Sequence, residues 1–319
     1  MSSSDRLWPG EYFATIGVFD GLHLGHQAIL RSLLASARSA ALPTVLYTFQ
    51  PRPVTVFAPE TPPDELTPLP RKLRLLAESG IDRLCVLHFS RSFAEMEAET
   101  FLTAVLGAGA GLKGIWIGYD FRFGRGRRGD WRMLQEMSGR FGYRAHRVDA
   151  IRSDGEPVSS TRIRRLLRQG DLESARRLLG RWPDLEGVVV RGRGQGRRVL
   201  VPTANLLLPA AQSLPALGVY VGEAEWDGKG RPAVLNLGRR PTLTDGSLVV
   251  PEVHVLDFDG DLLGRKLLFR MRGKLREERS FRSLNELRDQ VGSDLAEARR
   301  MSMGWEEEQT GLVGRPPDC

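Results

Sequence analysis

Cysteine and lysine are both scarce in this sequence. Cys85 and Cys319 are the only two thiols in 319 residues, too few for a disulfide framework, which excludes the stapled scaffolds of small secreted proteins. No stretch approaches the roughly 20 apolar residues that span a bilayer, and the opening M-S-S-S-D-R-L-W-P-G carries no apolar segment of the kind found in signal peptides. A cytoplasmic protein with no membrane partner is therefore expected. No G-x-x-x-x-G-K-S/T occurs anywhere, so a kinase built on a Walker A loop is excluded. Internal repeats are absent as well.

Only five of the 46 basic residues are lysines, which leaves 41 arginines spread along the whole chain. The formal charge of +7 and the pI near 9.8 suit nucleic acid in principle. Neither zinc-finger spacing nor an RNP-like aromatic motif accompanies that charge, and no nucleic-acid partner is expected. A positive field equally suits an enzyme acting on polyphosphates, since the planar guanidinium fork binds two oxygens at once.

With 41% hydrophobic and 27% charged residues, the composition is that of an ordinary globular protein, and the length suits two domains. The first half alternates strand-like and helix-like segments. Tyr12–Phe19, Thr44–Phe49, Arg83–Leu87 and Gly114–Gly118 read as strands, and Gly25–Ala41, Arg71–Glu78 and Glu95–Leu106 as helices. This alternation predicts a parallel sheet covered by helices on both faces. Two further helices are expected over Thr161–Arg168 and Leu172–Leu179. After Arg181-Trp-Pro-Asp184 the texture changes to short β-rich runs punctuated by glycine, at Gly187–Val190, Gly218–Ala224, Ala233–Leu237, Val249–Leu256 and Lys266–Arg270. An antiparallel sheet or small barrel is expected there, closed by a helix over Leu284–Arg300. The expected divisions are 1–184, 185–302 and a disordered tail over 303–319.

Gly17-Val-Phe-Asp-Gly-Leu-His-Leu-Gly-His26 lies where the first strand hands over to the first helix, at the carboxyl edge where open α/β sheets bind ligands. Phe19, Asp20, Gly21 and Gly25 are candidate binding positions, the glycines because they let backbone approach a ligand closely. A helix N-terminus there offers free N–H groups to a phosphate, and His23 and His26 can donate ring N–H bonds to its oxygens. Further on, Ser159-Ser-Thr-Arg-Ile-Arg164 opens a helix. Ser160, Thr161 and Arg164 share one face of it and form a candidate phosphate clamp, while Arg162 points elsewhere. Taken alone the segment is a Ser/Thr cap with a solvated arginine; the histidine turn tilts it towards the clamp.

Together these motifs resemble the HxGH nucleotidylyltransferases. Gly118-Tyr-Asp-Phe-Arg-Phe-Gly-Arg-Gly-Arg-Arg-Gly129 and Thr48-Phe-Gln-Pro-Arg-Pro53 narrow the resemblance to the prokaryotic bifunctional riboflavin kinase/FAD synthetase family. Its members more often carry glutamate and histidine where this chain has Gln50 and Arg52. The resemblance implies a Rossmann-like α/β domain that transfers an adenylyl group from ATP to FMN, releasing pyrophosphate and giving FAD. In that reaction His23 and His26 would stabilise the transferring phosphoryl group, Ser160, Thr161 and Arg164 the departing phosphates, and Asp120 would lie against ATP or FMN.

The β-rich half contains Pro202-Thr-Ala-Asn205, Asn236-Leu-Gly-Arg-Arg-Pro-Thr242 and a strand beginning near Glu252. Thr203 and Asn205 would project from one face of a strand, and their oxygens suit Mg²⁺. Read alone they form a turn, and Glu252 is a surface residue. The arrangement resembles the flavokinase domain, a six-stranded barrel with a C-terminal helix, and implies phosphorylation of riboflavin to FMN. Thr203 and Asn205 would then hold Mg²⁺ and ATP, Glu252 would activate the ribityl hydroxyl, and Gly192 and Gly194 would belong to a flap over the phosphates. Leu200 stands where the family usually has glycine, and Arg191 and Arg193 where histidine and aspartate are frequent. An adenylyltransferase with a degenerate kinase barrel is the alternative. A nicotinamide-dependent dehydrogenase is a second one, because Gly124-Arg-Gly-Arg-Arg-Gly129 matches G-x-G-x-x-G with Asp149 about twenty residues on.

Overall fold

A computed structural model describes residues 10–60, 64–192, 201–240 and 248–311. The chain divides into two compact units, Met1–Ile163 with Leu178–Gly180, and Arg164–Arg177 with Arg181–Cys319.

In the first unit the elements run β1 (Tyr12–Ile16), α1 (Leu24–Ala40), β2 (Thr44–Gln50), α2 (Pro53–Phe57), α3 (Leu69–Ala77), β3 (Arg83–His88), α4 (Arg91–Ala94), α5 (Ala98–Thr100), β4 (Leu112–Gly118), α6 (Trp131–Phe141), β5 (Arg144–Val148), and a small hairpin of β6 (Arg152–Ser153) and β7 (Glu156–Pro157). Strands β1 to β5 form one sheet in the order β3-β2-β1-β4-β5, every pair parallel. Strand order reverses between β1 and β4. Backbone leaving these neighbours diverges there and opens a crevice at their carboxyl ends.

The β-branched and aromatic residues of β2, T-V-L-Y-T-F-Q, are buried almost throughout, as a strand covered on both faces requires. Helix α1 buries Ile29, Leu30, Leu33 and Ala37, one helical stripe, against Leu46, Trp116 and Phe19. The opposite face of the sheet packs Ala14, Val45 and Ile115 with Phe101, Leu102 and Leu106. The helix expected over Glu95–Leu106 is broken instead: α4 ends at Ala94, and α5 runs directly into a wide-pitched turn at Phe101–Val105. Strand β1 also ends three residues before Phe19, because Phe19 itself takes a left-handed conformation at φ 50°.

Two helices follow, α7 (Ser160–Arg168) and α8 (Leu172–Leu179). The second unit continues with β8 (Asp184–Val190), β9 (Ala204–Leu207), β10 (Gly218–Trp226), β11 (Lys229–Arg240), β12 (Leu248–Val255), β13 (Lys266–Arg276) and α9 (Leu284–Gly311). The six strands close into an antiparallel barrel in the order β10-β11-β12-β9-β8-β13. Val219, Val221 and Val234 cluster with Leu275 of β13 and with Leu295, Ala298 and Met301 of α9, so the helix covers an outer face of the barrel. Arg276 fixes it by gripping both carboxylate oxygens of Asp294, with contacts of 2.9–3.1 Å. Helix α9 runs to Gly311, past the Arg300 at which the apolar spacing ends. The disordered tail expected from residue 303 is corrected to that extent.

Leu33 is fully buried between α1 and the sheet. Leu33→Ala is expected to lower the unfolding free energy of the first unit by about 2–5 kcal/mol, measured by urea unfolding followed through its tryptophans.

Candidate functional sites

The turn between β1 and α1 stands at the point where strand order reverses. Phe19, Gly21 and Leu22 all have positive φ, at 50°, 83° and 41°, and such backbone is costly for residues with a side chain. At Gly21 a side chain has no room either, since a Cβ would lie 2.7 Å from Leu66 Cδ1. Contacts from every neighbouring element hold this strained path. Thr48 Oγ1 and Lys72 Nζ donate to the Val18 carbonyl at 3.1 and 3.2 Å. The Gly21 N–H donates to Thr67 Oγ1 at 2.9 Å. Gln27 Nε2 bonds the Leu22 and Leu179 carbonyls, each at 2.9 Å.

Asp20 is the centre of this scaffold and is only 2% exposed. Its Oδ1 accepts from the Thr67 N–H at 3.0 Å, and its Oδ2 lies 3.2 Å from Arg52 Nη1. Arg52, itself buried, also donates through Nη2 to the Asp64 carbonyl at 2.8 Å and sets Nε 3.4 Å from Glu65 Oε1. Lys72 is buried nearby, and desolvation pulls its pKa below the ordinary lysine value despite Glu65 and Asp20. Phe19 and Asp20 were expected to bind a cofactor. Both side chains are buried, Phe19 at 1% and Asp20 at 2% exposure.

The two histidines come together as the sequence suggested. Their rings stack with centroids 3.7 Å apart and planes 20° from parallel, and Phe19 lies against His26 at 5.1 Å. Gly25 makes room for this pair, because a Cβ there would sit 3.2 Å from the His23 ring. Burial, then His23 and Lys72, hold the His26 pKa well below 6.5. His26 is therefore neutral at pH 7 and has one N–H to donate. The N-cap residue His23 makes no side-chain cap hydrogen bond to α1, and the first turn of the helix holds no acid, so its positive dipole end is not countered by a carboxylate of its own.

Ser160 begins α7 and donates from Oγ to the Asp20 carbonyl at 2.8 Å, so the expected clamp residue also ties that helix to the turn. Ser159 Oγ accepts from the Arg162 N–H at 3.3 Å. Arg162 turns away as expected, to the Ser153 carbonyl and to Asp154 and Glu156. Thr161 is exposed at the start of the helix, and Arg164 follows one turn later. Asp120 is exposed just beyond β4, on the other side of the reversal point, with Oδ1 3.6 Å from where a Cβ of Gly118 would lie. The G-x-G-x-x-G match at 124–129 is no dinucleotide turn. It lies well past the end of β4, in a loop that forms a short 3₁₀ turn at Arg125–Arg127 and bridges Phe123 to Gly129.

On the barrel, register supplies the arrangement. Asn236 of β11 faces Glu252 of β12, Glu252 faces Asn205 of β9, and Asn205 faces Val190 of β8. Directly opposed residues point to the same side, so Asn236, Glu252 and Asn205 form a row on one face. Thr203 lies two residues before Asn205, and the Pro202 carbonyl between β9 and the preceding segment contacts His254 Nδ1 at 2.7 Å. Gly192 is needed where it stands, since a Cβ would fall 2.4 Å from Asn205 Nδ2. Gly194, Arg193 and Leu200 lie outside the described residues. Asn236 is the residue that motif reading passed over as a role; only the strand register brings it beside Glu252. Among the described residues no group of three or more His, Cys, Asp or Glu could hold a metal. The hydroxyl and amide oxygens of Thr203 and Asn205 fit a hard cation that brings most of its ligands with it as phosphate and water.

Residues 8–162 match the family model described as FAD synthetase, and residues 179–302 the one described as riboflavin kinase. The chain is similar to the bifunctional riboflavin kinase/FMN adenylyltransferase of Pseudomonas fluorescens, with 38% identity over 91% of this chain and 92% of that relative. It is 40% identical to the protein of that name from Escherichia coli K12, over 89% of this chain and 91% of the relative. A solved structure described as a macrolide-efflux protein from Streptococcus pneumoniae superposes with a TM-score of 0.84 at 30% identity, covering 93% of this chain and 96% of that one.

The depressed His26 pKa links folding to pH. Acid protonates the unfolded chain near pH 6.5 while folded His26 stays neutral, so stability falls as pH drops below that value. Between pH 7.5 and 5.5 the wild-type chain is expected to lose more stability than His26→Asn, the difference approaching about 1.4 kcal/mol per pH unit. Urea midpoints of the two proteins across that range check it.

Proposed function

This chain belongs to the bifunctional riboflavin kinase/FMN adenylyltransferase family, and from that premise we propose how its own residues divide the two reactions. It phosphorylates riboflavin to FMN with ATP, and it transfers an adenylyl group from ATP to FMN, giving FAD and pyrophosphate. The observation that carries the assignment of residues is the stacked histidine pair on a strained, fully braced turn at the sheet's reversal point.

In the adenylyl reaction the nucleophile is the FMN phosphate, already anionic at neutral pH, so no strong base is needed. The protein's work is alignment and charge stabilisation. Neutral His26, with His23 stacked on it, donates to oxygens of the α-phosphate, where charge accumulates in the transition state. The N-terminus of α1 adds its N–H groups, with Gly21 and Gly25 letting backbone come close. Thr161 and Arg164 face the departing pyrophosphate. Ser160 keeps their helix against the turn through Asp20. Asp120 lies on the β4 side, against the nucleotide or the flavin.

In the kinase reaction the nucleophile is a primary alcohol, which benefits from a base. Glu252 takes its proton. Asn205 beside it and Thr203 would hold Mg²⁺ together with ATP, and the bound cation would neutralise phosphate charge. Gly192 brings backbone against Asn205, and Asn236 flanks Glu252 on the other side. Among the described residues no helix is long and apolar enough to cross a membrane, and the efflux description of the Streptococcus structure stays with that protein. A cytoplasmic location is part of this proposal.

Incubating the purified chain with Mg²⁺, ATP and either riboflavin or FMN, then separating the flavins, tests the reading. FAD is expected from both starting flavins; FAD from FMN alone would mean an adenylyltransferase with an inactive kinase barrel. His26→Ala is expected to lower FAD formation at least about 100-fold while FMN formation persists, and Glu252→Ala to do the reverse. Loss of both activities in either folded variant would contradict two separate sites.

A further inference from the structure

The Arg52 side chain is only 9% exposed and turned inward. It spans three partners that belong to two different segments: the Asp20 carboxylate of the histidine turn, and the Asp64 carbonyl and Glu65 carboxylate of the stretch leading into α3. That stretch continues to Thr67, which reaches back to Asp20 Oδ1 through its N–H and to the Gly21 N–H through its hydroxyl. The result is a closed loop of contacts, Arg52–Asp20–Thr67 and back through Glu65 and Asp64, with the strained residues Phe19 to Leu22 on its rim.

We propose that Arg52 is a positioning residue for adenylyl transfer, acting through Asp20 to hold the turn that carries His23 and His26. This inference rests on the proposed role of the histidine pair. Asp20 supports the turn from both ends of the residue: its carboxylate fixes the backbone towards α3, and its carbonyl takes the Ser160 hydroxyl. A buried carboxylate needs a matched cation with fixed geometry, and the planar fork of Arg52 donates to Asp20 and the Asp64 carbonyl while its charge faces Glu65 at 3.4 Å, where a lysine ammonium offers one compact point charge. Without Arg52 the Asp20 carboxylate is drawn towards water, the left-handed segment relaxes, and the imidazoles leave the α-phosphate. A small misplacement is enough to slow such a reaction strongly. Because Arg52 is shielded from ligand, the loss falls on turnover and spares nucleotide binding.

The test compares Arg52→Gln, Arg52→Lys and the double variant Asp20→Asn/Arg52→Gln in the full chain, measuring both reactions, with thermal unfolding as a fold check. Arg52→Gln is expected to lower kcat for FAD formation between about 10- and 100-fold, with KM for ATP within about threefold and riboflavin phosphorylation within about twofold. Arg52→Lys is expected to recover only part of the loss. The double variant, which removes the stranded charge along with its partner, is expected to turn over faster than Arg52→Gln alone. A KM increase at unchanged kcat would instead make Arg52 a substrate contact and overturn the inference, as would a double variant no better than the single one. Equal loss of both activities would also overturn it. Wild-type protein unable to make FAD from FMN would refute the underlying assignment rather than the role of Arg52.

Discussion

The histidine turn is built around a buried ion pair, Asp20 with Arg52. Asp20 and Arg52 sit beneath a turn that would not hold its shape unaided, because Phe19 and Leu22 occupy left-handed backbone at a cost of about 1–3 kcal/mol each. Such a path persists only when its surroundings over-determine it. Here β2 contributes Thr48, α3 contributes Lys72, the stretch before α3 contributes Thr67, and α7 contributes Ser160. Each contact lands on the backbone or the carboxylate of residues 18–21, and none uses the imidazoles. These contacts hold the turn through residues 18–21.

The barrel solves the corresponding problem without strain. Its candidate residues come from separate strands, and their proximity follows from register alone: Asn236, Glu252 and Asn205 are successive partners across β11, β12 and β9. A slip of one residue in β12 would turn Glu252 to the opposite face and Val253 outward. The buried positions Pro251, Val253 and Val255, alternating with Glu252 and His254, resist that slip. Closing the sheet into a barrel and covering one outer face with α9 pins the arrangement further.

Much of this architecture was legible in the residues. The apolar alternation gave the central strands and α1 to within a few positions, and the histidine turn and the Pro-Thr-Ala-Asn segment marked both candidate sites. What escaped has physical reasons. Helix α6 was missed although Trp131, Leu134, Met137 and Phe141 recur at helical spacing between Asp130, whose carboxylate accepts from the Met133 N–H, and Gly142 in left-handed conformation; it buries only Leu134 fully, and its other apolar residues pack at the margin of the core. Strand β9 is four residues long and follows a proline. The role of Arg52 could not be read at all, because its partners Asp20, Asp64 and Glu65 are scattered in sequence and nothing marks an arginine as buried until the chain has folded.

Strand β5 escaped for a different reason. Its sequence Arg-Ala-His-Arg-Val looks like a loop, and Arg144 and Arg147 are exposed. It is also an edge of the five-stranded sheet, and among the described residues no further strand pairs its outer side. An apolar strand in that place would invite the edge of another molecule to add on; repelling guanidinium groups discourages such growth. The barrel needs no guard of this kind, since a closed sheet has no edge to offer. The polarity that hides β5 in the sequence is thus what guards this edge against a strand from another molecule, and replacing its arginines with apolar residues would make a more regular strand and a stickier edge.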